Sequence, residues 1–136
     1  EPRPATDVNP RLPVEVIEAD GDGLKLLELM ADADHILFID AVKGVGRPGE
    51  IVRLDVSTES RWGAIVPYST HALGLAEAVD LARALGQLPK QAVLDGIRVD
   101  SVEPGAPLSE AVRAGLDIVV KQMNEEIERI RCTKCI

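Results

Sequence analysis

One apolar run with a single acid inside it constrains the fold of this chain more than any other stretch. Residues 36–42 read ILFIDAV. A helix would need a longer segment with regularly spaced polar positions, so this run predicts a fully buried strand, central in a parallel sheet. Ligands gather at the carboxyl ends of strands in open α/β sheets, which makes Asp40 a candidate functional residue. The same aspartate is also compatible with a capped turn after the strand.

Helices and strands alternate through the first half of the chain. Residues 14–17 have the β-branched composition of a short strand, and apolar residues at helical spacing from Leu24 to Met30 predict a helix that ends near residue 32. The Pro48-Gly49 turn precedes a strand-like pattern over residues 50–54. A turn of this kind between two strands predicts a hairpin with the strand at 36–42.

The second half repeats the alternation with longer elements. A helix that opens at residues 69–71 and ends at Gly86 is predicted to precede a buried strand over residues 92–97. The longest helix follows residue 107, with one apolar stripe: Leu108, Val112, Leu116, Val119, Met123, Ile127 and Ile130. We therefore expect a three-layer α/β/α fold with a mainly parallel central sheet and one antiparallel hairpin strand.

Length and charge limit the organisation and the partners. The 136 residues predict a single domain over residues 14–131, preceded by a flexible proline-rich tail at 1–13 and followed by a Cys-x-x-Cys tail at 132–136. A net charge of -8 argues against nucleic-acid and anionic-membrane surfaces. The sequence has no apolar run approaching roughly 18 residues and no signal-peptide pattern, so a cytoplasmic location is expected.

Two glycine-rich motifs fail when their context is considered. Gly44, Gly46 and Gly49 match the spacing of a dinucleotide-binding fingerprint, but that motif must lead into a helix and here a strand is predicted to follow. The DGDG segment at residues 20–23 resembles a calcium loop, yet Ala31 occupies the position that needs a bidentate glutamate. Neither motif predicts a ligand site.

The remaining combination of chemical interest is Asp40 with His71. Each lies at the junction of a predicted element and a loop, so both can face one cleft. A carboxylate and a neutral imidazole suit a divalent ion such as Zn²⁺ or Ni²⁺, although two ligands are too few for a site. A histidine near the start of a helix is equally compatible with a backbone hydrogen bond and no metal.

Several segments in order resemble the hydrogenase maturation endopeptidases. They are residues 18–24 (EADGDGL), 38–42 (FIDAV), 47–50 (RPGE), 69–78 (STHALGLAEA) and 93–97 (VLDGI). The resemblance implies a cytoplasmic α/β/α peptidase that removes the C-terminal peptide of a nickel-iron hydrogenase large-subunit precursor after nickel insertion. It also implies that Asp40 and His71 bind the nickel carried by the precursor, or another divalent metal in its place, and that Asp40 is catalytic.

The chain departs from the family pattern in one respect. The family's third ligand is an acid in an N-terminal Gly-x-Gly-Asn segment, and residues 8–11 echo that segment without its glycines or its acid. Glu18 and Asp20 are further acids able to face the cleft. We expect residues 1–136 alone to hold nickel weakly and to release no peptide unless one of these acids completes the site. A non-catalytic module that binds the precursor or the metal is the alternative function.

Overall fold

A computed structural model describes residues 14–19, 22–42, 46–58, 74–99, 105 and 107–133. Its elements in chain order are α1 (Gly23–Asp32), β1 (His35–Val42), β2 (Ile51–Asp55), α2 (Leu75–Ala84), β3 (Gln91–Arg98) and α3 (Glu110–Thr133). None of these described helices combines the length and the apolar character that crossing a membrane requires.

The three strands form one mixed sheet in the order β1-β3-β2. β1 pairs with β3 in parallel, with Asp40 opposite Gly96, and β2 pairs with β3 in antiparallel orientation. The predicted hairpin is therefore wrong, because β2 lies on the far side of β3. Hydrogen bonds from Gly49 N to Arg98 O and from Arg98 N to Glu50 O direct the incoming chain to β3 instead of β1.

The position of β1 also differs from the prediction. Within the described sheet β1 is an edge strand and β3 is central, so only Phe38 and Val42 of β1 are buried. Ile39, Asp40 and Ala41 are exposed. The strand predicted at 14–17 is wrong in extent, since Val16 alone has strand-type bridging there. The continuous apolar run correctly indicated a strand, but it did not indicate how many neighbours that strand has.

Side chains along each strand alternate between the two faces of the sheet, and each face is covered by different helices. The first face packs against α1 and α2 in a cluster that includes Leu26, Met30, Phe38, Val42, Val79, Ala82, Ala92 and Leu94. The second face packs against α3 in a cluster of Ile97, Val112, Val119 and Met123. The predicted three layers are thus present, with α1 and α2 in one outer layer and α3 in the other.

The helix boundaries follow from their capping groups. Asp22 caps α1 by accepting a hydrogen bond from Leu24 N at 3.0 Å. The described helix α2 has Gly74 as its N-cap, and Glu77 accepts from Gly74 N at 3.0 Å; the start predicted at residues 69–71 lies outside the described residues. Gly86 follows α2 with a φ of 68° and lets the chain leave the helix. α3 begins after Leu108, which is exposed and takes no part in the predicted stripe.

Candidate active site at the carboxyl edge of the sheet

The two helices of the first face point their amino ends at the same edge of the sheet. Two residues separate the end of α1 from the start of β1, and α2 returns the chain to the start of β3, where Gln91 N donates to Asp34 O at 3.3 Å. Both helices therefore run opposite to the parallel strands. A ten-residue helix is about 15 Å long and Asp40 lies about 16 Å along β1, so the helix amino ends reach the level of Asp40.

The Asp40 side chain lies on the face of the sheet that α1 and α2 cover. Its neighbours at alternate positions on β1, Phe38 and Val42, are buried in the cluster with α1 and α2. Because side chains alternate along a strand, Asp40 shares their face of the sheet. Phe38 and Val42 fill the interior, whereas the Asp40 side chain is exposed and is available to a ligand.

The surroundings of Asp40 shift the pKa of its carboxyl group. Neighbouring protein removes part of the water around the carboxyl group and raises its pKa above the usual value, while a hydrogen bond from Ala41 N opposes that rise. Ala41 N lies 2.9 Å from Asp40 Oδ1. This local bond is of the kind expected for a capping aspartate. Among the described residues, none donates a hydrogen bond to the other carboxylate oxygen, Oδ2.

The other predicted site residues are only partly described. Glu18 is exposed and precedes α1, whereas Asp20 and His71 lie outside the described residues. The dinucleotide-type glycine motif leads into β2, as expected, and Gly44 also lies outside the described part. Among described residues, no group of three histidine, cysteine or acidic side chains is arranged to hold a metal ion.

The structure contains one charged cluster that was not predicted from the sequence. Asp95 in β3 is completely buried on the face covered by α3, beside Arg53 of β2 and Glu126 of α3. The signal that could have found it is the same one that selected Asp40, an acid within an apolar run. Gly96 next to it has little room for a side chain, because a Cβ there would lie 2.9 Å from Val42 Cγ1 on β1.

Comparison with known proteins decides the family. A family profile described as hydrogenase maturation protease (HycI) matches residues 5–126. The chain belongs to the hydrogenase maturation protease family. Hydrogenase 2 maturation protease of Escherichia coli K12 is 31% identical over 81% of this chain and 67% of that protein. The hydrogenase expression/formation protein HupD of Bradyrhizobium diazoefficiens is 29% identical over 74% of this chain and 53% of its own length.

A solved structure supports the same assignment. The hydrogenase maturating endopeptidase HybD from E. coli superposes with a TM-score of 0.66 at 28% identity, covering 85% of this chain and 72% of that chain. The resemblance to maturation endopeptidases seen in the sequence is therefore confirmed at the level of the family. The fold is confirmed as α/β with one mixed sheet.

Proposed function

We propose that this protein is an endopeptidase that removes the C-terminal peptide of a nickel-iron hydrogenase large-subunit precursor after nickel has been inserted. Membership of the hydrogenase maturation protease family carries the proposal. The position of Asp40 supports it, since its exposed carboxylate lies near the carboxyl end of β1, on the face of the sheet that α1 and α2 cover.

In this proposal nickel is part of the substrate and serves as the recognition anchor. The precursor's own cysteines hold the ion, and Asp40 and His71 add a carboxylate oxygen and an imidazole nitrogen. Binding the ion fixes the precursor so that the scissile amide lies close to Asp40, which raises the effective concentration of the reacting groups. Hydrolysis adds hydroxyl to the new carboxyl terminus and a proton to the released amine.

The raised pKa of Asp40 adds a condition to this role. The carboxylate binds a metal only when it is ionised, and protons compete for the same oxygens. Because partial desolvation raises the pKa of Asp40, we expect nickel-dependent binding of the precursor to weaken as the pH falls through that value. The Asp40→Asn protein removes the anionic ligand at every pH and should bind the precursor weakly throughout.

The test uses purified precursor in nickel-loaded and nickel-free forms. Incubation with this protein is followed by mass spectrometry of the intact precursor, which reports peptide release, and by native mass spectrometry, which reports the complex. We expect complex formation only with nickel, peptide release only if Glu18, Asp20 or another acid completes the site, and an effect of Asp40→Asn and of His71→Ala on the complex of about a hundredfold. Asp117→Asn removes an exposed carboxylate of α3 and is the matched control.

Each outcome has a defined meaning. Equal binding of nickel-free precursor would overturn the anchoring role of nickel. Nickel-dependent binding without peptide release, unchanged after a family-type N-terminal strand with its acidic residue is added, would overturn the peptidase assignment and leave a binding module. Normal release by Asp40→Asn would overturn the assignment of the site.

A further inference from the structure

The face of the sheet opposite Asp40 contains a buried carboxylate that the proposed function does not use. Asp95 is 0% exposed in the middle of β3, and its two oxygens accept hydrogen bonds from Arg53 Nη1 at 3.3 and 3.5 Å. The Nη2 group of Arg53 donates to Glu126 Oε2 on α3. One guanidinium on β2 is therefore shared by two carboxylates, one in the sheet and one on the helix.

The charges around Asp95 come from two elements. β2 contributes Arg53 and α3 contributes Glu126, whereas β1 places the apolar Ile39 opposite Asp95 in the strand register. With all three groups ionised the cluster carries one net negative charge. Burial raises the pKa of the Asp95 carboxyl, Arg53 opposes this rise, and the negative charge of Glu126 adds to it.

Besides the apolar cluster that packs α3 on the sheet, two different contacts join this helix to the rest of the fold. Near its start, Gly115 approaches the backbone of Gly49 so closely that a Cβ at either glycine would collide with backbone atoms. That contact contains no titratable group. Glu126 lies eleven residues further along the helix, about 16 Å away, and connects the second half of α3 to Arg53.

We propose that Arg53, Asp95 and Glu126 form an acid-sensitive latch that holds the second half of α3 against the sheet. When Asp95 is ionised, it competes with Glu126 for Arg53 and repels the Glu126 carboxylate. When Asp95 takes up a proton, the competition and the repulsion end and Arg53 pairs with Glu126 alone. The latch is therefore tighter with Asp95 protonated and looser with Asp95 ionised.

Hydrogen exchange of backbone amides tests the latch in the intact chain. Protection of amides 124–130, corrected for the pH dependence of intrinsic exchange, is measured at intervals from about pH 4, near the ordinary carboxyl pKa, to about pH 8. We expect protection in the parent protein to fall by about tenfold as the pH rises through the pKa of Asp95, with α1 amides as the internal reference. Asp95→Asn imitates the protonated carboxyl and should be equally protected throughout this range.

A matched pair of glutamates separates the latch from general charge effects. Glu126→Gln removes the helix partner of Arg53 and should abolish the pH step, whereas Glu125→Gln removes an exposed neighbouring charge and should retain it. A parent protein without a step overturns the latch. So does a step of unchanged size in Asp95→Asn or Glu126→Gln.

Discussion

The two faces of the sheet each carry a carboxylate, and the two carboxylates differ in exposure and in hydrogen-bond partners. Asp40 on β1 and Asp95 on β3 both interrupt apolar strands, and both have a pKa raised by burial. Asp40 is nevertheless exposed and its assigned hydrogen bond is with the adjacent residue, Ala41. Asp95 is fully buried, its hydrogen-bond partner Arg53 comes from another strand, and Arg53 in turn binds Glu126 of α3.

This difference follows from the positions of the two strands. β3 is central and is covered by α3, so an acid on that face needs a cation and hydrogen bonds to remain ionised. β1 is an edge strand within the described sheet, and Asp40 is exposed there, with no charged partner among the described residues. An acid in an apolar run is therefore available to a ligand only where the surrounding fold leaves it accessible.

The largest effect on stability should come from removing the cation that Asp95 uses. Arg53→Ala should lower the free energy of unfolding by about 2–3 kcal/mol at neutral pH, since it leaves a buried carboxylate without a countercharge. The estimate is below that for a fully buried pair because the Arg53 side chain is 41% exposed. Urea unfolding measures the change.

Two further variants sharpen this comparison. Lys121→Ala removes an exposed cation from α3 and should change stability by less than about 0.5 kcal/mol. Asp95→Asn combined with Arg53→Ala should recover most of the loss, because no buried charge remains. A double variant as unstable as Arg53→Ala alone would show that the loss has another cause.

The next largest effect on stability should come from the close contact between Gly115 of α3 and Gly49. Gly115→Ala should destabilise the protein by about 1–3 kcal/mol, because the new methyl group would collide with the backbone of Gly49. Helix propensity alone predicts a gain of about 1 kcal/mol for the same change, so the sign is diagnostic. Thermal unfolding measures it, and Ala114→Gly, at an exposed neighbouring position, should follow propensity. Stabilisation by Gly115→Ala would refute the close contact.

The pH dependence of stability should distinguish Asp95→Asn from the parent. The folded-state pKa of Asp95 is raised above its ordinary value of 3.8, so the folded state binds this proton more tightly than the unfolded state does. The associated stability is present at low pH and is lost as the pH rises through the folded pKa. Unfolding free energies measured across this window should show the parent falling relative to Asp95→Asn. A constant difference would contradict the raised pKa.

The smallest effect should belong to the carboxylate of the other face. Asp40→Asn should change the free energy of unfolding by less than about 0.5 kcal/mol near neutral pH, because the side chain is exposed. The same variant is expected to lose nickel-dependent binding of the precursor. Matched unfolding curves of Asp40→Asn and the parent provide the check, and a large loss of stability would place Asp40 in the packing instead of the site.

Local patterns in the sequence were sufficient for most elements and for the family. The apolar runs at 36–42 and 92–97 predicted β1 and β3, and the apolar residues at helical spacing from Leu24 to Met30 predicted a helix that the structure places at Gly23–Asp32. These elements depend on interactions between residues close in the chain, so spacing and capping groups reveal them. The same kind of pattern selected Asp40, whose side chain is exposed in the structure and whose role in the site stays a prediction.

Only the tertiary structure decided which strands pair and whether each acid is exposed or buried beside a cation. A Pro-Gly turn predicted a hairpin of β1 with β2, yet β2 pairs with β3. Arg53 meets Asp95 from 42 residues away and Glu126 from 73 residues away. Such contacts form because packing α1 and α2 on one face and α3 on the other selects which strands adjoin and which side chains lose water. No local pattern contains that information, since two acids in similar apolar runs differ only in what the fold brings next to them.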